Sequence, residues 1–112
     1  MLQALSARPG VQAAVLASSD GLPIERSGTD RCDHDTLAAL SATVAQHAAR
    51  LGVGVGRGVL AGAVLEFSAG CAVLARAGAD AWLVLLTEPG ADLGALLVEL
   101  RRQRPALAVL LG

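Results

Sequence analysis

Four residues that could bind a metal ion stand side by side in the run Cys32-Asp33-His34-Asp35. Thiolate, imidazole and carboxylate groups are the usual ligands of zinc. Adjacent residues seldom converge on one ion, however, and the sequence contains no second cluster to complete a four-ligand shell. The run also directly precedes a helical pattern, where an Asp side chain can accept hydrogen bonds from free backbone N–H groups. We therefore predict that Asp33 or Asp35 caps a helix and that the run holds no metal.

The candidate nucleophiles lack the neighbours that would activate them. Cys71 and His47 could form a thiolate–imidazole pair, but Cys71 falls in an apolar strand pattern, where a buried and unreactive thiol is usual. His47 is expected to pack at the boundary of a helix. Ser18, Ser19 and Ser41 lack the G-x-S-x-G context of a nucleophile elbow. Since no set of nucleophile, base and orienting group is visible, we expect no catalytic residue and no enzyme.

The glycine-rich segment Gly52–Gly58 resembles a nucleotide-binding loop only superficially. It lacks the G-x-G-x-x-G spacing, and it follows a helix and precedes a strand, which is the reverse of a dinucleotide-binding unit. All nine basic residues are arginines, so a phosphate-binding loop with its lysine is excluded. We predict a flexible connection and no cofactor, with Arg57 either solvated or in contact with a partner.

Composition limits the remaining classes of function. The chain has 112 residues, 54% of them apolar and 17% charged, which indicates one folded domain over residues 1–112. A net charge of −1 and only two aromatic side chains, Phe67 and Trp82, argue against nucleic acid as a partner. Apolar runs such as Ala81–Leu86 are too short for membrane insertion. With no visible signal peptide and only two cysteines, we expect a cytoplasmic protein.

Hydrophobic periodicity and turn residues predict three helices and five strands. The predicted helices are Leu2–Ala7, Thr36–Leu51 and Ala91–Arg102, and the predicted strands are Val11–Ser18, Leu22–Ser27, Gly58–Phe67, Cys71–Arg76 and Ala81–Thr87. Pro105 is expected to end or kink the last helix, with Ala106–Leu111 as an apolar tail that packs on the sheet.

The connections determine how these strands pair. Asp20-Gly21 predicts a hairpin between the first two strands, and the short turns after Phe67 and Arg76 require an antiparallel meander. The last strand is apolar at every position and should therefore be central, with helices on both faces of the sheet. Pro23 cannot donate a hydrogen bond to a neighbouring strand, so its strand should form one edge. The strand that ends at Phe67 is expected to form the other.

Two features predict self-association. In the second helix, Leu37, Leu40, Val44, Ala48 and Leu51 should face the core, and the opposite, alanine-rich face comprises Ala38, Ala39, Ala42, Gln46, Ala49 and Arg50. That face either approaches another helix or simply reflects the high helix propensity of alanine. The long apolar edge strand, with Val59, Ala61, Ala63 and Leu65, invites pairing with another chain. A two-fold dimer would explain both features.

Three stretches together resemble one family. Pro9–Ile24 combines a strand with the pattern Ser-x-Asp-Gly-Leu-Pro-Ile, Asp35–Ala42 is similar to the start of the family's second helix, and Leu93–Arg102 is similar to its last helix. In this order they resemble the Roadblock/dynein light-chain family over essentially the whole chain. The resemblance implies an α+β fold, an α/β/α sandwich on a five-stranded antiparallel sheet. It also implies a dimer formed through the third strand and second helix.

The same resemblance implies a non-catalytic partner of Ras-like small GTPases that acts as an activator or a scaffold. Arg50 and Arg57 are the arginines best placed to contact such a GTPase, although the family is not expected to insert an arginine finger. Two alternatives stay open: a structural subunit without control of a nucleotide, and a sensor of a small ligand, which the scarcity of large pocket-forming residues disfavours.

Overall fold

The computed structural model describes the backbone of residues 2–28 and 33–111 and the side chains of residues 2–28 and 33–106. In chain order the elements are α1 (Leu2–Ser6), β1 (Val11–Ser18), β2 (Pro23–Gly28), α2 (His34–Gly54), β3 (Gly62–Phe67), β4 (Gly70–Arg76), β5 (Ala81–Thr87) and α3 (Leu93–Leu111). None of the helices in the described part of the chain is both long and apolar enough to cross a membrane.

The five strands form one antiparallel sheet in the order β2-β1-β5-β4-β3. This order confirms the predicted hairpin and meander, the central place of β5 and the two predicted edges. Helices α1 and α3 pack on one face of the sheet, where Leu5 and Leu96 join Leu83 and Leu85 of β5. Helix α2 packs on the other face, so the fold is the expected α/β/α sandwich.

The turn between β1 and β2 forms as its sequence predicts. Gly21 has a φ of 91°, a conformation that glycine adopts without the steric strain of a side chain. Across the turn, the backbone N–H of Ser18 donates a hydrogen bond to the Leu22 carbonyl. The Ser18 hydroxyl oxygen in turn accepts a hydrogen bond from the Leu22 N–H. At the surface, Arg26 of β2 and Asp35 of α2 form an ion pair at 3.6 Å.

Two predicted boundaries are wrong near the glycine-rich segment. Helix α2 does not stop at Gly52 but continues to Gly54, because the glycine in the left-handed conformation that ends the helix is Gly56, with a φ of 71°. Strand β3 begins at Gly62 instead of Gly58. The Leu60 carbonyl accepts a hydrogen bond from the Arg76 side chain at 2.8 Å, so this segment bonds to a side chain before strand pairing starts.

The prediction that Pro105 could end the last helix, with Ala106–Leu111 as a separate tail, is also wrong. Helix α3 contains Pro105 and continues to Leu111, so Ala106–Leu111 is helical and not a separate tail. A proline within a helix removes one backbone donor and crowds the carbonyl four residues earlier. The strong helix formers on either side, among them Gln103 and Ala106, favour the helical turns that flank this defect.

The central strand supplies the first testable prediction. Leu83 is 1% exposed and contacts the core on the α1–α3 face. We expect Leu83→Ala to lower the free energy of unfolding by about 3 kcal/mol, because the lost methyl groups leave a cavity. Val98→Ala, on an exposed part of α3, is the control and should change it by less than about 0.5 kcal/mol. Urea unfolding would measure both, and equal effects would contradict the placement of β5.

Candidate interaction surface

The predicted helix cap is confirmed at Asp33. One of its carboxylate oxygens accepts hydrogen bonds from the backbone N–H groups of Asp35 and Thr36, at 3.1 and 3.2 Å. The other accepts a hydrogen bond from the Thr36 hydroxyl at 2.7 Å, and this bond is the main reason that the pKa of Asp33 is lowered. Cys32 lies outside the described residues. Among the residues described, no three metal-ligating side chains come together.

The structure does not bring Cys71 and His47 together. Ala72 packs with α2, so its neighbour Cys71 points to the opposite face of the sheet. His47 is exposed on α2. The sheet therefore separates the thiol from the imidazole. Of the serines, Ser41 is buried in α2 and the Ser18 hydroxyl is used in the β1–β2 turn.

The predicted orientation of α2 is wrong. Ala38 and Ala42, assigned to the outward face, are 0% and 4% exposed and face the sheet together with Ala45. Leu40 and Leu51, assigned to the core, are 62% and 66% exposed. The alanines recur at helical spacing, as the leucines do, and their small side chains let the helix lie close to the sheet.

The remaining residues predicted for an interface stay on or near the surface. Ala39, Gln46 and Arg50 are exposed on α2, and Ala49 is half-buried. In the segment around β3, Ala63 and Leu65 are half-buried, and Ala61 and Val59 are exposed and precede the strand. Their role in an interface is a prediction that the fold of a single chain does not test.

Strand β3 leaves one edge of the sheet open within the described residues. Arg76 donates its backbone N–H to the Ala61 carbonyl, which identifies these opposite residues as a hydrogen-bonded pair. In an antiparallel ladder such pairs alternate along the strand, so every second residue after Ala61 bonds to β4. Gly62, Val64 and Glu66 consequently direct their backbone N–H and C=O groups away from the sheet, where another strand could pair with them.

An apolar groove of about 540 Å³ runs beside this edge, between α2 and β3. Leu40 and Val44 of α2 form one wall, and Leu65 and Phe67 form the other. Phe67 is 63% exposed, although it is the only phenylalanine in the chain. We call these four side chains and the open edge of β3 the α2–β3 surface. A continuous apolar patch of this kind is typical of a protein-interaction site.

The α2–β3 surface was only partly visible in the sequence. The open edge was expected, but Leu40 and Val44 were assigned to the core and Phe67 was not singled out. The available signal was the lone Phe67 at the end of an edge strand, in a chain with only two aromatic residues. A large side chain at that position has little sheet to pack against.

The arginines predicted to contact a partner lie at the other end of α2. Arg50 and Arg57 are both exposed, and Arg57 belongs to the turn that follows the helix. Exposed Val53 and Val59 flank this turn. Arg76 differs, because its guanidinium lies 4.6 Å from the centre of the buried Trp82 ring and bonds to two backbone carbonyls. Arg76 therefore supports the fold.

The orientation of α2 can be tested with glutamate. Ala42→Glu would place a carboxylate between helix and sheet, and we expect it to lower the free energy of unfolding by about 3 kcal/mol or more. Leu40→Glu, two residues earlier on the exposed side, should lower it by less than about 1 kcal/mol. Urea unfolding at low protein concentration would compare them, and the reverse ranking would restore the orientation predicted from periodicity.

Most of the chain matches one family of domains. A family model described as the Roadblock/LC7 domain matches residues 1–87. The Roadblock/LC7 domain from Streptomyces avermitilis is 28% identical over 95% of this chain and 93% of its own, with a TM-score of 0.82. The gliding protein MglB from Thermus thermophilus is 25% identical over 96% of this chain and 82% of its own, with a TM-score of 0.84.

Myxococcus xanthus MglB, at 18% identity over 98% of this chain and 84% of its own, shares the fold with a TM-score of 0.89. Among curated proteins, none shows significant sequence similarity to this chain. The family match confirms the predicted resemblance to Roadblock domains, and the structural neighbours confirm the predicted fold.

Proposed function

This chain belongs to the Roadblock/LC7 family, and from that membership we propose that it is a cytoplasmic homodimer that binds and regulates a Ras-like small GTPase. The observation that carries the proposal is the α2–β3 surface, where an open strand edge adjoins an exposed apolar groove. The role follows from what the family resemblance implies for partners. The protein acts by binding, and the GTPase carries out the chemistry.

Dimerisation accounts for the α2–β3 surface. A second copy related by a two-fold axis would pair its β3 with the first and extend the sheet across both subunits. The exposed side chains of Leu40 and Phe67 would then leave water, at roughly 25 cal/mol per Å² of apolar area. Ala39, Gln46 and Ala49 would lie along the facing helices. Ala38 and Ala42 would contribute only by holding α2 close to the sheet.

The GTPase would bind near the end of α2 and the turn that follows it. Arg57 lies there among exposed valines, so a charged contact would sit within an apolar surround, as interaction hot spots commonly do. Arg50 lies on the same helix near this end. We assign these arginines to docking and not to the stabilisation of a transition state.

Leu40→Glu and Phe67→Glu test the dimer interface. Each buries a carboxylate where two apolar walls would meet, so we expect the dimer dissociation constant to rise by about a hundredfold or more. Val98→Glu, an equally exposed apolar position on α3, is the matched control and should leave the dimer intact. Light scattering over a dilution series measures the mass. A monomeric wild-type protein would overturn the proposed dimer.

The partner is tested with the small GTPase from the same genome, loaded with a GTP analogue or with GDP. We expect the dimer to bind the GTP-analogue form selectively, and Arg57→Ala to weaken binding about tenfold. Arg102→Ala, on α3, is the control. Binding that ignores the bound nucleotide, without an effect on GTP hydrolysis, would instead favour a structural assembly subunit.

A further inference from the structure

A second groove, of about 320 Å³, lies on the other face of the sheet between β3 and α3. Its lining includes Gly62 and Val64 of β3, and Arg101 and Arg104 of α3. The Nε atom of Arg104 is buried and has no hydrogen-bond partner among the described residues. None of the described residues that line this groove is acidic. The groove therefore offers positive charge and space to a carboxylate that its own lining does not provide.

Other arginines at this end of the molecule are already paired. Glu99 lies 3.2 Å from the guanidinium of Arg102 and 3.9 Å from that of Arg8. Arg101 and Arg104 form no ion pair with any described residue. The two arginines at the groove thus differ from their neighbours in lacking a carboxylate partner within the described chain.

Glu66 is the only charged residue in β3. Because side chains alternate along a strand, Glu66 lies on the same face as Gly62 and Val64, which is the face of the second groove. Glu66 is four positions beyond Gly62, a distance of about 13 Å along the strand. It is two positions, about 7 Å, beyond Val64, and among the described residues it forms no ion pair with Arg101 or Arg104 of its own subunit.

The open edge of β3 restricts how a second copy can pair. A two-fold axis perpendicular to the sheet brings the outward-facing residues of both copies opposite one another. A register centred on Val64 pairs Gly62 with Glu66 of the partner subunit and uses all three outward-facing residues. A register centred on Leu65 leaves Gly62 without a partner in β3, and one centred on Ala63 leaves Glu66 without one. A register centred on Glu66 places like charges opposite each other.

We infer that the dimer adopts the register centred on Val64, in which Glu66 of each subunit binds Arg101 and Arg104 of the other. The inference rests on the proposed homodimer and assigns its register. No side chain of β3 fills this end of the groove, because an ideal Cβ at Gly62 would lie 2.7 Å from the Leu74 carbonyl oxygen. Two-fold symmetry repeats the contact at both ends of the paired strands. On the α2 face this register sets Leu65 opposite Ala63, large against small.

Charge reversal tests the ion pair. We expect Glu66→Arg and Arg101→Glu each to raise the dimer dissociation constant about ten- to a hundredfold, because the contact occurs twice and becomes repulsive. The combined variant, with both reversals, should return to within about threefold of the wild type. Arg102→Glu is the matched control, since Arg102 faces its own Glu99, and should not weaken the dimer. Circular dichroism checks that each variant folds.

Disulfide cross-linking tests the register independently, in a Cys32→Ser, Cys71→Ser background. In the inferred register Val64 faces its own copy at about 5.5 Å between Cα atoms, within the range of a disulfide. Ala63 and Leu65 would each lie more than about 7 Å from their copies, beyond that range. We therefore expect Val64→Cys to form a covalent dimer faster than Ala63→Cys or Leu65→Cys.

The outcomes separate the inference from the proposed function. A wild-type monomer would overturn both. A dimer that ignores the charge reversals, or that cross-links fastest through Ala63→Cys or Leu65→Cys, would overturn the register alone and leave the homodimer standing. Should a reversal variant fail to fold, the cross-linking comparison still decides.

Discussion

The packing of α2 on the sheet determines what the rest of the surface can do. The helix contacts the sheet through small side chains, Ala38, Ala42 and Ala45, so its axis lies close to the strands. A helix has only one face to bury, and alanines occupy it here. Among the leucines, Leu37 packs at the margin of the core, whereas Leu40 and Leu51 point to the flank or to solvent. The exposed groove beside β3 is therefore a direct result of the way α2 is anchored.

The two faces of the sheet are covered unequally, and β5 makes this possible. Its residues alternate between the α1–α3 core, through Leu83 and Leu85, and the α2 core, through Trp82 and Val84. The large side chains of this central strand fill both cores, so α2 can pack on the sheet through small alanine side chains. The strands farther out receive less cover, and β3 receives least, with Val64 and Phe67 both exposed.

The strand order of the sheet could be predicted from the sequence, but the face of α2 that packs on the sheet could not. The turn at Asp20-Gly21, the short connections and the uninterrupted apolar strand Ala81–Leu86 left one strand order, which the structure confirms. In α2, alanines and larger apolar residues both recur at helical spacing, and periodicity alone cannot say which stripe meets the sheet. An apolar stripe also marks a protein interface, so the core and the candidate site carry the same signal. Helix α3 continues past Pro105, so the unfavourable helix propensity of one proline does not end a helix when the residues on either side of it are strong helix formers.

The two edges of the sheet differ in chemistry. Strand β2 begins with Pro23, which has no backbone donor, and carries Glu25 and Arg26, whose charges resist burial against another strand. Strand β3 has no proline and a single charge. A chain with two open edges could add copies without limit and grow into a filament. In the proposed homodimer the two β3 edges pair with each other and only the β2 edges stay open, so the proline and the charges of β2 would disfavour further growth along the sheet.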